Sequence, residues 1–122
     1  MNQRASAARA GRRGERAVAW WLRLRGWRLL ARNLHVGPDE LDIVAAHPTS
    51  QVLAIVEVKA TRGGVDTLAR VDARKQRRMA RAADRLPARW RAGRRLRFDV
   101  ASVRVGLWCR IRYRPGAFED AR

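Results

Sequence analysis

The chain has 122 residues, 47% of them hydrophobic, with 28 basic against 11 acidic side chains and a formal net charge of +17. That length suits one domain with one core, and the charge is far beyond what solubility requires, so a polyanionic partner is expected. No hydrophobic span of membrane length, lipidation signal or basic helix with a clean apolar face accompanies the charge, which sets membranes aside and leaves nucleic acid.

Met1 to Ala10 contain two arginines and no continuous apolar stretch, unlike a secretory leader, so the cytoplasm is the expected compartment. Val18, Trp21 and Leu22 recur at helical spacing and predict a helix from Ala8 to Arg25, which Gly26 ends. Glu15 starts its inward face, and the outer face is rich in arginine. A first strand is predicted from Trp27 to Asn33. After the turn residues Gly37-Pro38-Asp39 comes a second, from Glu40 to Ala46. His47 to Ser50 reads as a hairpin turn. Gln51 to Lys59 is the strongest strand, because Val52-Leu53-Ala54-Ile55-Val56 is the apolar run of a central strand covered on both sides.

Gly63-Gly64 breaks that pattern, and Val71, Lys75, Met79, Ala82 and Leu86 mark one face of a helix from Leu68 to Trp90. Strands follow at Leu96 to Val105 and Leu107 to Tyr113, and Arg114 to Arg122 reads as a frayed tail outside a single 1–113 domain. Helix, three strands, helix, two strands suits an α/β fold with a mixed central sheet: a three-stranded meander, a helical crossover, and a strand returning parallel to the central one. Cys109 has no second cysteine to pair with and reads as a small buried hydrophobe.

Side chains two apart on a strand share a face, so Glu57 and Lys59 project together from the end of the strongest strand. Burying them there is costly unless they pair or serve a site. The His47 to Ser50 turn brings Asp42 beside Glu57, and two converging carboxylates suit a hard divalent cation such as magnesium or manganese. Only two of the 28 basic residues, Lys59 and Lys75, are lysine. A lysine beside such a site can orient or deprotonate water, or stabilise charge building on a phosphate. A buried ion network of Asp42, Glu57 and Lys59 is the competing reading of the same spacing. From Arg74 through Arg97 a single acid, Asp84, opposes the basic side chains, a run that suits phosphate contact. Arg74, Lys75, Arg78 and Arg81, with Arg62 before them, are its candidate contacts.

Gly11-Arg12-Arg13-Gly14-Glu15, Asn33, Glu40-Leu41-Asp42-Ile43-Val44, Val56-Glu57-Val58-Lys59, Lys75-Gln76 and Arg97-Phe98-Asp99-Val100 follow in an order that resembles the YraN-like protein family from Gly11 to Val105. That family is similar to the PD-(D/E)xK restriction-endonuclease-like nucleases, including archaeal Holliday junction resolvases. The resemblance implies a restriction-endonuclease-like core and a metal-dependent endonuclease acting on branched or structured DNA. Within it, Asp42 and Glu57 are metal ligands, Lys59 is the catalytic lysine and Glu15 is a further carboxylate of the site. It also allows a homodimer, by analogy with junction-cutting enzymes. A non-catalytic nucleic-acid-binding module on the same fold is the alternative. Asp39 stands where the family usually has glycine.

Simpler roles are expected elsewhere. Glu15 in a bare helix would balance charge at its start, Glu40 would pair with an arginine, and Lys75 would be either a phosphate contact or an ordinary helix residue. His35 and His47 read as solvated turn residues, Trp21 as core, and Asp99 as a salt-bridge or strand-end residue.

Overall fold

The computed structural model describes residues 3–62 and 71–119. Helix α1 spans Gln3–Leu24, five residues earlier than the sequence pattern places its start. It ends where Gly26 turns left-handed at φ 87°, and the Arg25 and Trp27 amides both donate to the Leu22 carbonyl. Strands β1 (Arg28–Val36), β2 (Asp39–Ala46) and β3 (Val52–Thr61) follow. Helix α2 (Ala73–Asp84), a short helix α3 (Ala88–Arg91), and strands β4 (Arg95–Arg104) and β5 (Arg110–Phe118) complete the order.

The five strands form one mixed sheet in the order β1-β2-β3-β4-β5, antiparallel except for the parallel pair β3 and β4. The α2–α3 segment is the crossover between those two. Two of its expected features are corrected. The single helix from Leu68 to Trp90 is α2 and α3, separated at Pro87, whose ring removes an N–H and obstructs a continuing helix; Leu68 itself lies outside the described residues, as do Gly63 and Gly64. Asp72 starts α2 by accepting the Lys75 amide at 2.8 Å. At the other end of the chain, β5 begins at Arg110 and runs to Phe118, so residues 114–118 are strand where a frayed tail is expected. Phe118 stacks on Phe98 with centroids 4.9 Å apart, which gives that segment an apolar anchor.

Each face of the sheet has its own core. On one side α2 lays Met79, Ala82 and Ala83 over Leu53, Ile55, Phe98 and Val100. On the other, α1 lays Val18, Ala19 and Leu22 over Ile43, Ala54, Val56 and Val103. This double cover explains the unbroken apolar run of β3. Trp21 packs at the edge of the α1 side and stacks on Tyr113, and Cys109 is only half-buried there. His47 builds the β2–β3 turn: its Nδ1 accepts the amides of Thr49 and Ser50 at 3.1 and 3.0 Å, and its ring meets Trp27 edge-on, so it is a turn-forming residue, not a merely solvated one. No described helix is long and apolar enough to cross a membrane.

Candidate active site

The β2–β3 ladder pairs Ile43 with Val56 and then stops, although β3 runs five residues further. Its register carries Asp42 opposite Glu57 at the point where the strands part. The Val58 amide, which the ladder no longer satisfies, donates instead to Asp42 Oδ2 at 2.8 Å. Asp42 is thereby fixed beside Glu57, and both project towards α2 with Leu53 and Ile55. This is the convergence that alternation along the strands predicts.

The charges around the pair are uneven. Glu57 is 4% exposed, and Lys59 Nζ stands 3.4 Å and Lys75 Nζ 3.7 Å from its Oε2. Among the described residues Asp42 has no such cation at contact distance. Burial, and after it a hydrogen bond and charge repulsion with Glu57, push the Asp42 carboxyl up to about 7, against the opposite pull of the Val58 amide and Lys75. Lys75 owes its position to the Asp72 cap, which starts α2 so that its first turn overhangs Glu57. Its ammonium therefore stands beside the carboxylate pair.

Glu15 arrives from the other face of the sheet. A Cβ on Gly14 would stand 2.8 Å from the Ala60 Cβ, so glycine is what lets α1 settle onto the end of β3 one residue before Glu15. Burial raises the Glu15 carboxyl above its ordinary range, and the charges of Asp42 and Glu40 raise it further, while the Asn33 amide and Arg32 draw it down. Asn33 is the one described non-glycine residue with positive φ, at 50°. Its neighbours pair as Arg32 with Ile43 and Leu34 with Leu41, which puts Asn33 across from Asp42. Asparagine tolerates this left-handed conformation better than most residues. Asn33, Asp42 and Glu57 therefore form a row across three strands. The sequence motif contains Asn33, but nothing local reveals that its backbone turns over.

Among the described residues no three histidine, cysteine or carboxylate side chains are grouped closely enough to hold a metal by themselves. The carboxylate donor set is Asp42 and Glu57, and Glu15 stands off it. Two hard oxygen donors are what a magnesium site commonly takes from a protein, the remaining positions going to water and substrate phosphate. Adjacent carboxylates that resist joint ionisation fit such a cation, because it would compensate both.

The other candidates divide between two clefts. Lys75, Arg78 and Arg81 line a cavity of about 430 Å³ with Glu40 and Asp39. Arg81 forks onto Asp39 at 3.0 and 3.1 Å and holds that carboxyl below the usual range, tying the start of β2 to α2. Its side chain has this structural pairing in addition to any phosphate contact. The buried Asp39 thus gives the departure from glycine a role. Arg62 lies on the other side, in a cavity of about 480 Å³ lined by α1 and β1, and Arg74 is exposed on α2 outside both clefts. Glu40 is exposed and pairs in register with His35. Asp99 makes the expected salt bridge, to Arg97.

Related sequences carry the same stretch of chain. The profile of Uncharacterised protein family UPF0102 matches residues 14–103, from the glycine that seats α1 to the penultimate residue of β4. A UPF0102 protein of Rhizorhabdus wittichii is 45% identical over 106 residues, covering 85% of this chain and 87% of its own. One from Syntrophotalea carbinolica is 43% identical over 114 residues, covering 89% and 90%. One from Sorangium cellulosum is 43% identical over 109 residues, covering 81% and 72%. The chain belongs to Uncharacterised protein family UPF0102, the family of the YraN-like proteins.

Proposed function

We propose that this protein is a metal-dependent nuclease that hydrolyses phosphodiester bonds in DNA, with branched or otherwise structured DNA as its substrate class. Its α/β sheet would serve as a restriction-endonuclease-like core, and the cytoplasm would be its place of action. The observation that carries the reading is the meeting of Asp42 and Glu57 where the β2–β3 ladder opens, with two lysines on Glu57 and, among the described residues, none at contact distance from Asp42.

Asp42 and Glu57 would hold magnesium or manganese. When bound, such a cation supplies Lewis-acid activation of water and of the phosphoryl group. Lys59, whose side chain is 42% exposed, can reach a phosphate while leaning on Glu57, and its ammonium would stabilise charge that builds on the phosphoryl oxygens. Lys75 faces the same point from α2 and would orient the strand. Glu15 retains its proton at higher pH than an ordinary glutamate, which suits handing that proton to the departing oxygen. Arg78 and the other α2 arginines would grip phosphates without reading bases.

The two lysines also support a second reading, because they neutralise Glu57 without any metal. On that reading the protein is a non-catalytic nucleic-acid-binding module. Incubation with duplex, single-stranded and four-way-junction DNA, with and without magnesium or manganese, separates the two. The nuclease reading expects metal-dependent cutting that drops roughly a thousandfold in Glu57→Ala and Lys59→Ala. Binding without cutting under any metal would leave the module, and equal cutting by all variants would mark a contaminant.

A further inference from the structure

We propose that the cleft between α1 and β1 is a second phosphate-binding site, which takes the nucleic-acid strand on the side of Asp42 away from Lys75. The inference deepens the nuclease reading by giving the substrate strand a path, and it rests on that reading only for the direction of the path.

The cleft has a volume of about 480 Å³, and Arg12, Arg13 and Arg16 of α1 face Arg32 and Asn33 of β1 across it. Spacings of three and four residues stack the helix guanidinium groups about one 5.4 Å turn apart on one side of α1. Like charges so placed repel, and Glu15 is the only acid among the described residues of the lining. An anion in the cleft removes that repulsion. Planar guanidinium forks match phosphate oxygens in pairs, a geometry that ammonium groups lack.

Position decides between a polynucleotide and an acidic protein segment. Glu15 and Asn33 line this cleft, and the same two residues border Asp42, one through its charge and the other across the strand register. The cleft of Lys75 and Arg78 lies on the other side of the Asp42–Glu57 pair. A chain spanning both must cross a pair of carboxylates. A polynucleotide carries a phosphate on every nucleotide and so meets arginines on both sides of the pair along one chain, whereas an acidic peptide segment would need its carboxylates set at matching intervals.

The test is binding of a labelled single-stranded oligonucleotide by fluorescence anisotropy, in EDTA so that cleavage plays no part, across a series of salt concentrations. Arg12→Gln with Arg16→Gln is expected to weaken binding roughly tenfold and to flatten the log–log salt dependence by about 1.4, for two lost contacts. Arg28→Gln with Arg95→Gln removes the same charge at the opposite end of the sheet and is expected to stay within about twofold of wild type. Arg12→Lys with Arg16→Lys is expected to restore the slope and only part of the affinity. Thermal unfolding without DNA reports folding of each variant. Equal losses in the two glutamine pairs, or no loss in the first, would overturn the proposal. A protein that never cuts yet shows the expected pattern keeps this site and loses the nuclease reading. A metal-dependent nuclease indifferent to Arg12 and Arg16 does the reverse.

Discussion

Asp99 and Asp42 are both acids within the same sheet, yet their surroundings differ completely. Asp99 is fully buried and accepts four hydrogen bonds: two from Arg97 at 2.9 and 3.0 Å, one from the Tyr113 hydroxyl at 2.5 Å and one from the Gly116 amide at 2.8 Å. Asp42 is partly buried, takes one backbone amide, and faces another carboxylate. A buried charge that is completely answered by the protein has nothing left to offer a ligand, and its removal costs stability. One that is left incompletely answered is where a cation or substrate has something to contribute. By this measure Asp99 closes the β4–β5 side of the fold, and the Asp42–Glu57 row is the candidate site.

The contrast is open to test, and the largest effect belongs to the satisfied acid. Asp99→Ala strands the Tyr113 hydroxyl and the Gly116 amide, and is expected to lower unfolding free energy by about 4 kcal/mol in urea titrations; a loss below 1 kcal/mol would show that the network is dispensable. The unsatisfied acid should behave in the opposite sense. Because the Asp42 carboxyl is raised in the fold, its contribution to stability is fully present below pH 4 and is lost as pH rises through about 7. In EDTA the wild type should therefore lose about 2 kcal/mol more than Asp42→Asn between pH 4 and pH 8, read by thermal melts of both proteins. Parallel pH profiles would remove the premise that Asp42 lacks compensation.

A third experiment asks whether the rim of the site depends on how α1 is seated. Gly14→Ala places a methyl group against Ala60 and should cost about 1.5 kcal/mol. If Glu15 acts at the site, this variant should also lose cutting in proportion beyond its unfolded fraction. The smallest change sharpens the structural half of the comparison: Tyr113→Phe removes one of four donors to Asp99 and should cost about 1 kcal/mol with no effect on nucleic-acid binding.

Several features were legible because they are local. Alternation on β3 puts Glu57 and Lys59 on one face, the double-sided cover shows as an unbroken apolar run, and a short turn after β2 brings Asp42 back to Glu57. The returning parallel strand follows from a helical crossover. The boundary between α2 and α3 was harder, although Pro87 was visible, because the apolar spacing continues through Leu86 and overrides the single breaker. The extension of β5 was hidden for a different reason. Arg114, Pro115 and Gly116 carry no alternation, and they are held in place by Asp99 and the Phe98–Phe118 stack.

By itself, then, the sequence determined the order of elements, the basic character and the strand pair on which the carboxylates lie, since periods of two and 3.6 residues and short turns act over a few positions. Tertiary structure alone decided that Asn33 turns left-handed across from Asp42, that Lys75 overhangs Glu57, and that arginines from α1 and β1 enclose a cleft beside Glu15. Those juxtapositions join residues far apart in the chain. They depend on how two helices settle on opposite faces of one twisted sheet, which no local pattern encodes.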